Sequence, residues 1–325
     1  MNPLLHFDDL SRAVLPLSTG SGPAAARPLH LAIGMFDGVH LGHKSVIESA
    51  LHSARRSGGL AGVLTFWPHP SALFHPENPT PLLMPTEMKR SVLGRLGIDF
   101  VIEQNFSREF AAVGAAEFVA LLKRSLPTLS AVYVGENWRF GRGRTGDVAV
   151  LVGEAGKNGF EVFSAPRLNH NGAPISSSRI RELLAAGAIA EANALLGYSY
   201  FAEGVVEPGR RLGRTLGFPT LNLAWEPEAK PAYGVYAVEV THGAGEPWSG
   251  VANYGLRPTV GQATRPLLEV HMLGPTKLTT GDKLTVSWLR FLRPESKFSG
   301  VEELRAQIGR DRENALKSFQ NQEAK

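Results

Sequence analysis

Cysteine is absent from the 325 residues. Disulfides, thiolate metal sites, iron–sulfur clusters and cysteine nucleophiles are excluded together, and the absence suits a reducing cytoplasm. No run approaches the roughly 18 apolar residues that a membrane-spanning helix needs. The N-terminal segment carries Asp8 and Asp9 and no long apolar stretch, which argues against a secretory signal peptide. There is no internal repeat and no low-complexity segment; the alanine-rich stretch Ala185–Ala194 is good helix composition. Charge of neither sign dominates. The 34 basic and 30 acidic residues leave +4 with histidine neutral. That excess suits phosphate-bearing ligands and is too small to demand nucleic acid. With 43% hydrophobic and 20% charged residues, the chain reads as an ordinary folded protein, and its length predicts two domains. The expectation is a cytoplasmic protein acting on small molecules. Neither membrane nor nucleic acid is expected as a partner, and the chain is expected to be a monomer or weak homo-oligomer.

What is present divides into two textures. Leu29–Ile33 is a short apolar run that breaks at Gly34 and gives way to a helix over Leu41–Arg56. Strand patterns at Leu60–Phe66, Phe100–Ile102, Ala131–Gly135 and Phe160–Phe163 then alternate with helical ones at Thr86–Leu96, Ala115–Arg124 and after Asp147. That alternation predicts a parallel sheet with helices on both faces, binding ligands beyond the carboxyl ends of its strands. From about Tyr198 short β-rich runs follow one another: Phe201–Val206, Gly234–Val240, Gly250–Asn253, Leu267–Leu273 and Lys283–Leu289. Glycine, proline and threonine separate them, which predicts a small antiparallel barrel or sandwich. Leu304, Ile308 and Leu316 give the tail Val301–Phe319 helical spacing, and it should pack across that β domain. A helical stretch from Ser178 to Leu196 links the halves. The expected domains are 1–195 and 196–325.

Two clusters in the first half carry chemistry. Gly34-Met35-Phe36-Asp37-Gly38-Val39-His40-Leu41-Gly42-His43 sits where a buried strand turns into a helix. Glycines there let backbone approach a ligand, and the helix start offers free N–H groups to phosphate. His40 and His43, three residues apart at the first turn, can both face phosphate oxygens and neutralise developing charge. The second cluster is Ile175-Ser176-Ser177-Ser178-Arg179-Ile180-Arg181, at another helix start. Its hydroxyls can cap the helix, and with Arg181 they can also form a second phosphate cradle.

In the second half, Gly204–Asn222 is dense in glycine and arginine. By itself it reads as a flexible basic loop or as part of an RNA-binding module. Aromatics are not interleaved with its basic residues as base-stacking platforms require. Thr220 and Asn222, two apart on an extended segment, point to one side. Their oxygens suit Mg²⁺ beside nucleotide phosphates, and local backbone bonds in a proline-initiated turn are the other reading.

These motifs carry a resemblance. The Gly34–His43 element with the later Ile175–Arg181 element resembles the nucleotidylyltransferase superfamily. Val134–Gly141 and Thr65-Phe66-Trp67-Pro68-His69-Pro70 resemble its flavin adenylyltransferase branch. Gly213–Asn222, Pro231–Tyr236, Asn253–Thr259 and Leu268–His271 are similar, in matching order, to the riboflavin kinases. The whole is similar to the bifunctional bacterial riboflavin kinase/FAD synthetases. The resemblance implies a Rossmann-like α/β adenylyltransferase domain, then a six-stranded riboflavin kinase barrel with a C-terminal helix. It implies ATP contacts at Gly34, Phe36, Asp37, Gly38, His40, His43, Ser177, Ser178 and Arg181, and at Gly209, Arg214 and Gly217 of the barrel loop. It implies flavin contacts at Phe66, Pro68, Asn137 and Arg139 in one domain and Asn253 and Arg257 in the other. Thr220 and Asn222 would hold Mg²⁺, and Glu269 would take the proton from the ribityl hydroxyl. The implied reactions are riboflavin to FMN, then FMN to FAD, each consuming ATP. Met272–Gly281 stands where those kinases carry an acidic, aromatic run. A chain with adenylyl transfer alone is therefore the alternative reading, and an RNA-binding or tRNA-modifying protein a distant one.

Overall fold

A computed structural model describes residues 4–5, 27–209, 213, 217–257 and 265–323. The chain divides into two compact units, Met1–Ser177 and Ser178–Lys325.

The first unit contains strands β1 (Leu4–Leu5), β2 (Leu29–Ile33), β3 (Leu60–Trp67), β4 (Phe100–Asn105), β5 (Leu129–Gly135) and β6 (Glu161–Ala165). They form one sheet in the order β1-β4-β3-β2-β5-β6, and every pair is parallel. Helices α1 (Leu41–Ser57), α2 (Pro70–Phe74), α3 (Thr86–Arg95), α4 (Arg108–Ala111), α5 (Ala115–Ser125) and α6 (Val148–Lys157) connect them. The central strands are buried along nearly their whole length, as a parallel sheet covered on both faces demands. Helix α1 buries Val46, Ile47, Ala50, Leu51 and Ala54, a stripe at three- and four-residue spacing. It stops at Gly58, whose positive φ of 66° a side chain rarely tolerates. A two-residue hairpin, β7 (Asn169–His170) with β8 (Ala173–Pro174), follows β6.

The strand order positions the site. From β2 the chain steps to β3 and β4 on one side, whereas β5 and β6 lie on the other. The carboxyl ends of β2 and β5 thus diverge at the point where α/β sheets open a crevice for ligands.

Helix α7 (Ser177–Ala185) starts at the last residue of the first unit, and α8 (Ile189–Leu196) follows in the second. The sequence reads this stretch as one helix; the structure breaks it at Gly187, which takes φ +73°. Asn193 anchors the second helix to the barrel, donating to Trp288 O at 2.7 Å and accepting from Tyr200 N at 2.8 Å. Strands β9 (Phe201–Glu207), β10 (Thr220–Leu223), β11 (Gly234–His242), β12 (Trp248–Arg257), β13 (Arg265–Met272) and β14 (Lys283–Pro294) close into an antiparallel barrel. Its order is β10-β13-β12-β11-β14-β9, with β9 pairing back to β10. Side chains fill the interior: Leu223, Tyr236, Val238, Ala252, Tyr254, Leu268, Val270, Val286 and Trp288 are all buried. The C-terminal helix (Val301–Glu323) packs on the outside, with Ala315 buried among Val235, Ala237 and Val251. Arg293 grips Asp311 through two guanidinium nitrogens, at 2.9 and 2.7 Å.

Candidate active sites

The first site grows from the turn after β2. Gly34 leaves room for the Phe36 ring, since a Cβ there would stand 3.0 Å from it. Phe36, Gly38 and Val39 all take positive φ (51°, 80° and 36°), so the chain coils tightly before α1. His40 caps that helix, its Nδ1 accepting from His43 N at 3.2 Å. The two imidazoles stack at 3.5 Å between centroids, and the Phe36 ring meets His43 edge-on. The Asp37 carboxylate accepts from Leu83 N at 2.9 Å, and its carbonyl accepts from the Ser177 hydroxyl at 2.8 Å.

A cavity of about 230 Å³ opens beside this turn. The loops after three strands line it. Gly34, Phe36, His40 and His43 follow β2, Gly135–Trp138 end and follow β5, and Ala165–Leu168 end and follow β6. Burial pushes the His40 imidazole down to about 4, so it is neutral near pH 7. Burial, followed by the charges of His40 and Lys89, holds His43 well below the ordinary imidazole value.

The other residues expected at this site fall as follows. Asn137 is exposed at the cavity rim. Arg139 is also exposed and pairs with Asp147 at 3.2 Å. Phe66 and Pro68 are partly buried. Phe66 packs with Phe106 and Phe110 in an aromatic cluster that continues to Phe118, Trp138 and Phe140. Ser178 and Arg181 belong to the second unit, Ser178 exposed and Arg181 half-buried on α7.

Lys89 was missed in the sequence. It is 7% exposed, and its Nζ donates to Thr65 Oγ1 at 3.0 Å and to Met35 O at 3.3 Å. The signal was its place on the apolar face of α3, beside Met88, Val92 and Leu93.

The second site lies across three barrel strands. In register, Thr220 faces His271, Asn222 faces Glu269, and Asn253 faces Glu269 from the far side. Directly paired residues share a face, so one row runs Asn222–Glu269–Asn253. The alternating neighbours Leu223, Leu268, Val270 and Ala252 fill the core. His271 Nδ1 lies 2.9 Å from Pro219 O and steadies the entry to β10. Gly209 packs against the Asn222 amide so closely that any Cβ would overlap it. Gly213 abuts the backbone of Phe218, and a Cβ there would overlap its carbonyl oxygen.

Asn222 is buried, and its Oδ1 has no hydrogen-bond partner among the described residues. A carbonyl oxygen left so, beside a hydroxyl and a carboxylate, fits a hard divalent cation. Glu295 was also missed: it hydrogen-bonds Asn253 and occupies the space beside Gly255, and burial raises its carboxyl. Gly217 is exposed at the loop end. Arg214 and the Arg257 side chain lie outside the described residues.

A switch-point cavity lined by neutral imidazoles, joined in one chain to a closed barrel with an oxygen-donor row, defines a two-domain phosphate-group transferase. Residues 23–179 match the family model for FAD synthetase, and residues 196–319 match that for riboflavin kinase. The chain belongs to the bifunctional riboflavin kinase/FMN adenylyltransferase family. Relatives so named include one from Escherichia coli K12, 37% identical over 289 residues, covering 89% of this chain and 92% of its own. One from Bacillus subtilis is 34% identical over 296 residues, covering 90% and 92%. A solved structure from Streptococcus pneumoniae, described as a macrolide-efflux protein, matches with a TM-score of 0.83 at 26% identity, covering 96% of this chain and 98% of its own. No helix among the described residues of this chain is long and apolar enough to cross a membrane.

Proposed function

We propose that this chain makes both flavin nucleotides. The barrel unit transfers the γ-phosphoryl group of ATP to the ribityl hydroxyl of riboflavin and releases ADP. The α/β unit then transfers the adenylyl group of a second ATP to the phosphate of FMN and releases pyrophosphate. The observation that carries the reading is the paired imidazoles at the switch-point cavity, joined in one chain to the Asn222–Glu269–Asn253 row.

In the α/β unit, His40 and His43 donate N–H groups to the phosphates and stabilise charge that builds during attack on the α-phosphorus. An imidazole held neutral keeps one N–H to donate. No covalent intermediate is required, because positioning and charge stabilisation carry such transfers. Ser177 holds the departing phosphates, and Asn137 with Phe66, Pro68 and Arg139 borders the flavin. Asp37 serves the fold of the turn, its oxygens being taken by Leu83 and Ser177.

In the barrel, Glu269 accepts the ribityl proton, and Asn253 and Arg257 face the flavin. Gly209, Arg214 and Gly217 wrap the nucleotide. Thr220 and Asn222 would hold Mg²⁺, which supplies neutralisation of phosphate charge when bound. The Asn222 amide is held in place by packing of its nitrogen against Gly209. We place the enzyme in the cytoplasm, where ATP is available.

The test is incubation with riboflavin, ATP and Mg²⁺, followed by chromatographic separation. FMN with ADP, then FAD with pyrophosphate, are the expected products; the appearance of neither flavin nucleotide overturns the proposal. His43→Ala should abolish FAD formation and spare FMN formation, and Glu269→Ala should do the reverse. FAD made from supplied FMN, with no FMN made from riboflavin, would establish the single-activity alternative.

A further inference from the structure

The α/β unit buries an ammonium group that the reaction outlined above does not use. Lys89 projects from the apolar face of α3, where a methionine or leucine would pack at no electrostatic cost. Burying a charge is expensive unless partners compensate it. Its partners are specific. Thr65, fully buried on β3, donates its hydroxyl to Met35 O at 3.0 Å and accepts from Lys89 Nζ at 3.0 Å. Lys89 donates to the same Met35 carbonyl at 3.3 Å. Three groups from β3, α3 and the turn after β2 thus close a triangle. The carboxylates of Asp37 and Glu103 support the charge, and Arg90 opposes it. Glu103 also pairs with Arg90 at 2.9 Å.

Met35 is the pivot of the phosphate turn. It lies between Gly34, which yields space to the Phe36 ring, and Phe36 itself, at φ +51°. The Phe36 ring edge braces His43, which stacks on His40. We propose that Lys89 is a positioning residue for adenylyl transfer: by holding the Met35 carbonyl against Thr65 it sets the Phe36 ring, and through it the His43 imidazole, in the cavity. The proposal rests on reading the cavity as the ATP site of FAD formation.

Two variants and two readouts test it. Lys89→Met keeps length and removes the charge; Thr65→Val keeps the charge and leaves only the Lys89–Met35 side of the triangle. Misplacing a catalytic group by about an ångström can cost on the order of 100-fold in rate. We therefore expect Lys89→Met to lower kcat for FAD formation about 10- to 100-fold, with KM for FMN changed less than about 3-fold. Riboflavin phosphorylation by the same preparation should be unchanged. Thr65→Val should lower kcat in the same direction by a smaller factor. The second readout is the ring-proton NMR titration of His43, which should move up toward the ordinary imidazole value in Lys89→Met. Wild-type kcat in Lys89→Met overturns the proposal. Should Lys89→Met not fold, wild-type kcat in Thr65→Val overturns it. A wild-type chain that makes no FAD defeats the functional reading instead. The placement of the His43 ring then decides alone, and Phe36–His43 ring contacts by NMR that are unchanged in both Lys89→Met and Thr65→Val overturn the positioning role.

Discussion

The buried imidazole at the start of α1 makes the first unit sensitive to acid by an amount that can be worked out. His40 is 5% exposed, and burial lowers its pKa to about 4. In the unfolded chain it titrates near the ordinary value of about 6.5. Between these values the unfolded state holds one more proton than the folded state, so stability falls as pH falls through that window. The penalty from this one group is about 2.5 kcal/mol at pH 4.5 and levels off near about 3.4 kcal/mol below pH 4. His40→Asn isolates it. Asparagine retains a short acceptor for the His43 amide, so the helix cap survives, and the titrating group is gone. Urea unfolding of both proteins at pH 7 and pH 4.5 is the assay. The indole N–H signal of Trp138 reports the α/β unit separately from Trp225 and Trp288 of the barrel. The variant should lose about 2.5 kcal/mol less than wild type on acidification. His43 titrates in both proteins and cancels in the difference to first order. Equal pH dependence in the two proteins, or a wild-type His40 ring titrating near 6.5 by NMR, would refute the reasoning.

Three further outcomes are expected. Asn222→Ala removes the buried carbonyl oxygen at the centre of the barrel row, and should lower riboflavin phosphorylation about 100-fold or more while FAD formation from supplied FMN persists. Gly209→Ala pushes a methyl group into the Asn222 amide and should reproduce that selective loss; normal FMN production by Gly209→Ala would contradict the packing described. Asp311→Ala leaves the partly buried Arg293 guanidinium without its carboxylate. It should destabilise the barrel by about 1–3 kcal/mol, read as a lower urea midpoint for the Trp288 signal.

Much of the architecture could be read directly from the residues. The alternation of apolar runs with amphipathic stretches specified a parallel sheet, because strands buried on both faces must be apolar throughout. Closely spaced short strands specified the antiparallel β domain, and the helical spacing of Leu304, Ile308 and Leu316 its C-terminal helix. Glycines flanking His40 and His43 marked a turn where backbone must coil tightly, and Thr220-x-Asn222 marked two oxygens on one side of an extended segment. These are local properties, set by periodicity and backbone freedom.

Tertiary structure decided the rest. Closure of the barrel depends on β9 pairing with β10, which no local pattern encodes, and the registers of β10 and β12 on β13 set Asn222 and Asn253 on either side of Glu269. The break at Gly187 depends on packing around Leu184 and Ala232 that helix propensity does not sense. The cavity exists because β2 and β5 are neighbours although Gly34 and Asn137 are about a hundred residues apart in the chain. Lys89, on an amphipathic helix, looks like any lysine until β3 and the turn after β2 are folded over it. Charge state likewise follows burial: the sequence contains two histidines three residues apart, and only the surroundings that exclude water from them make both imidazoles neutral.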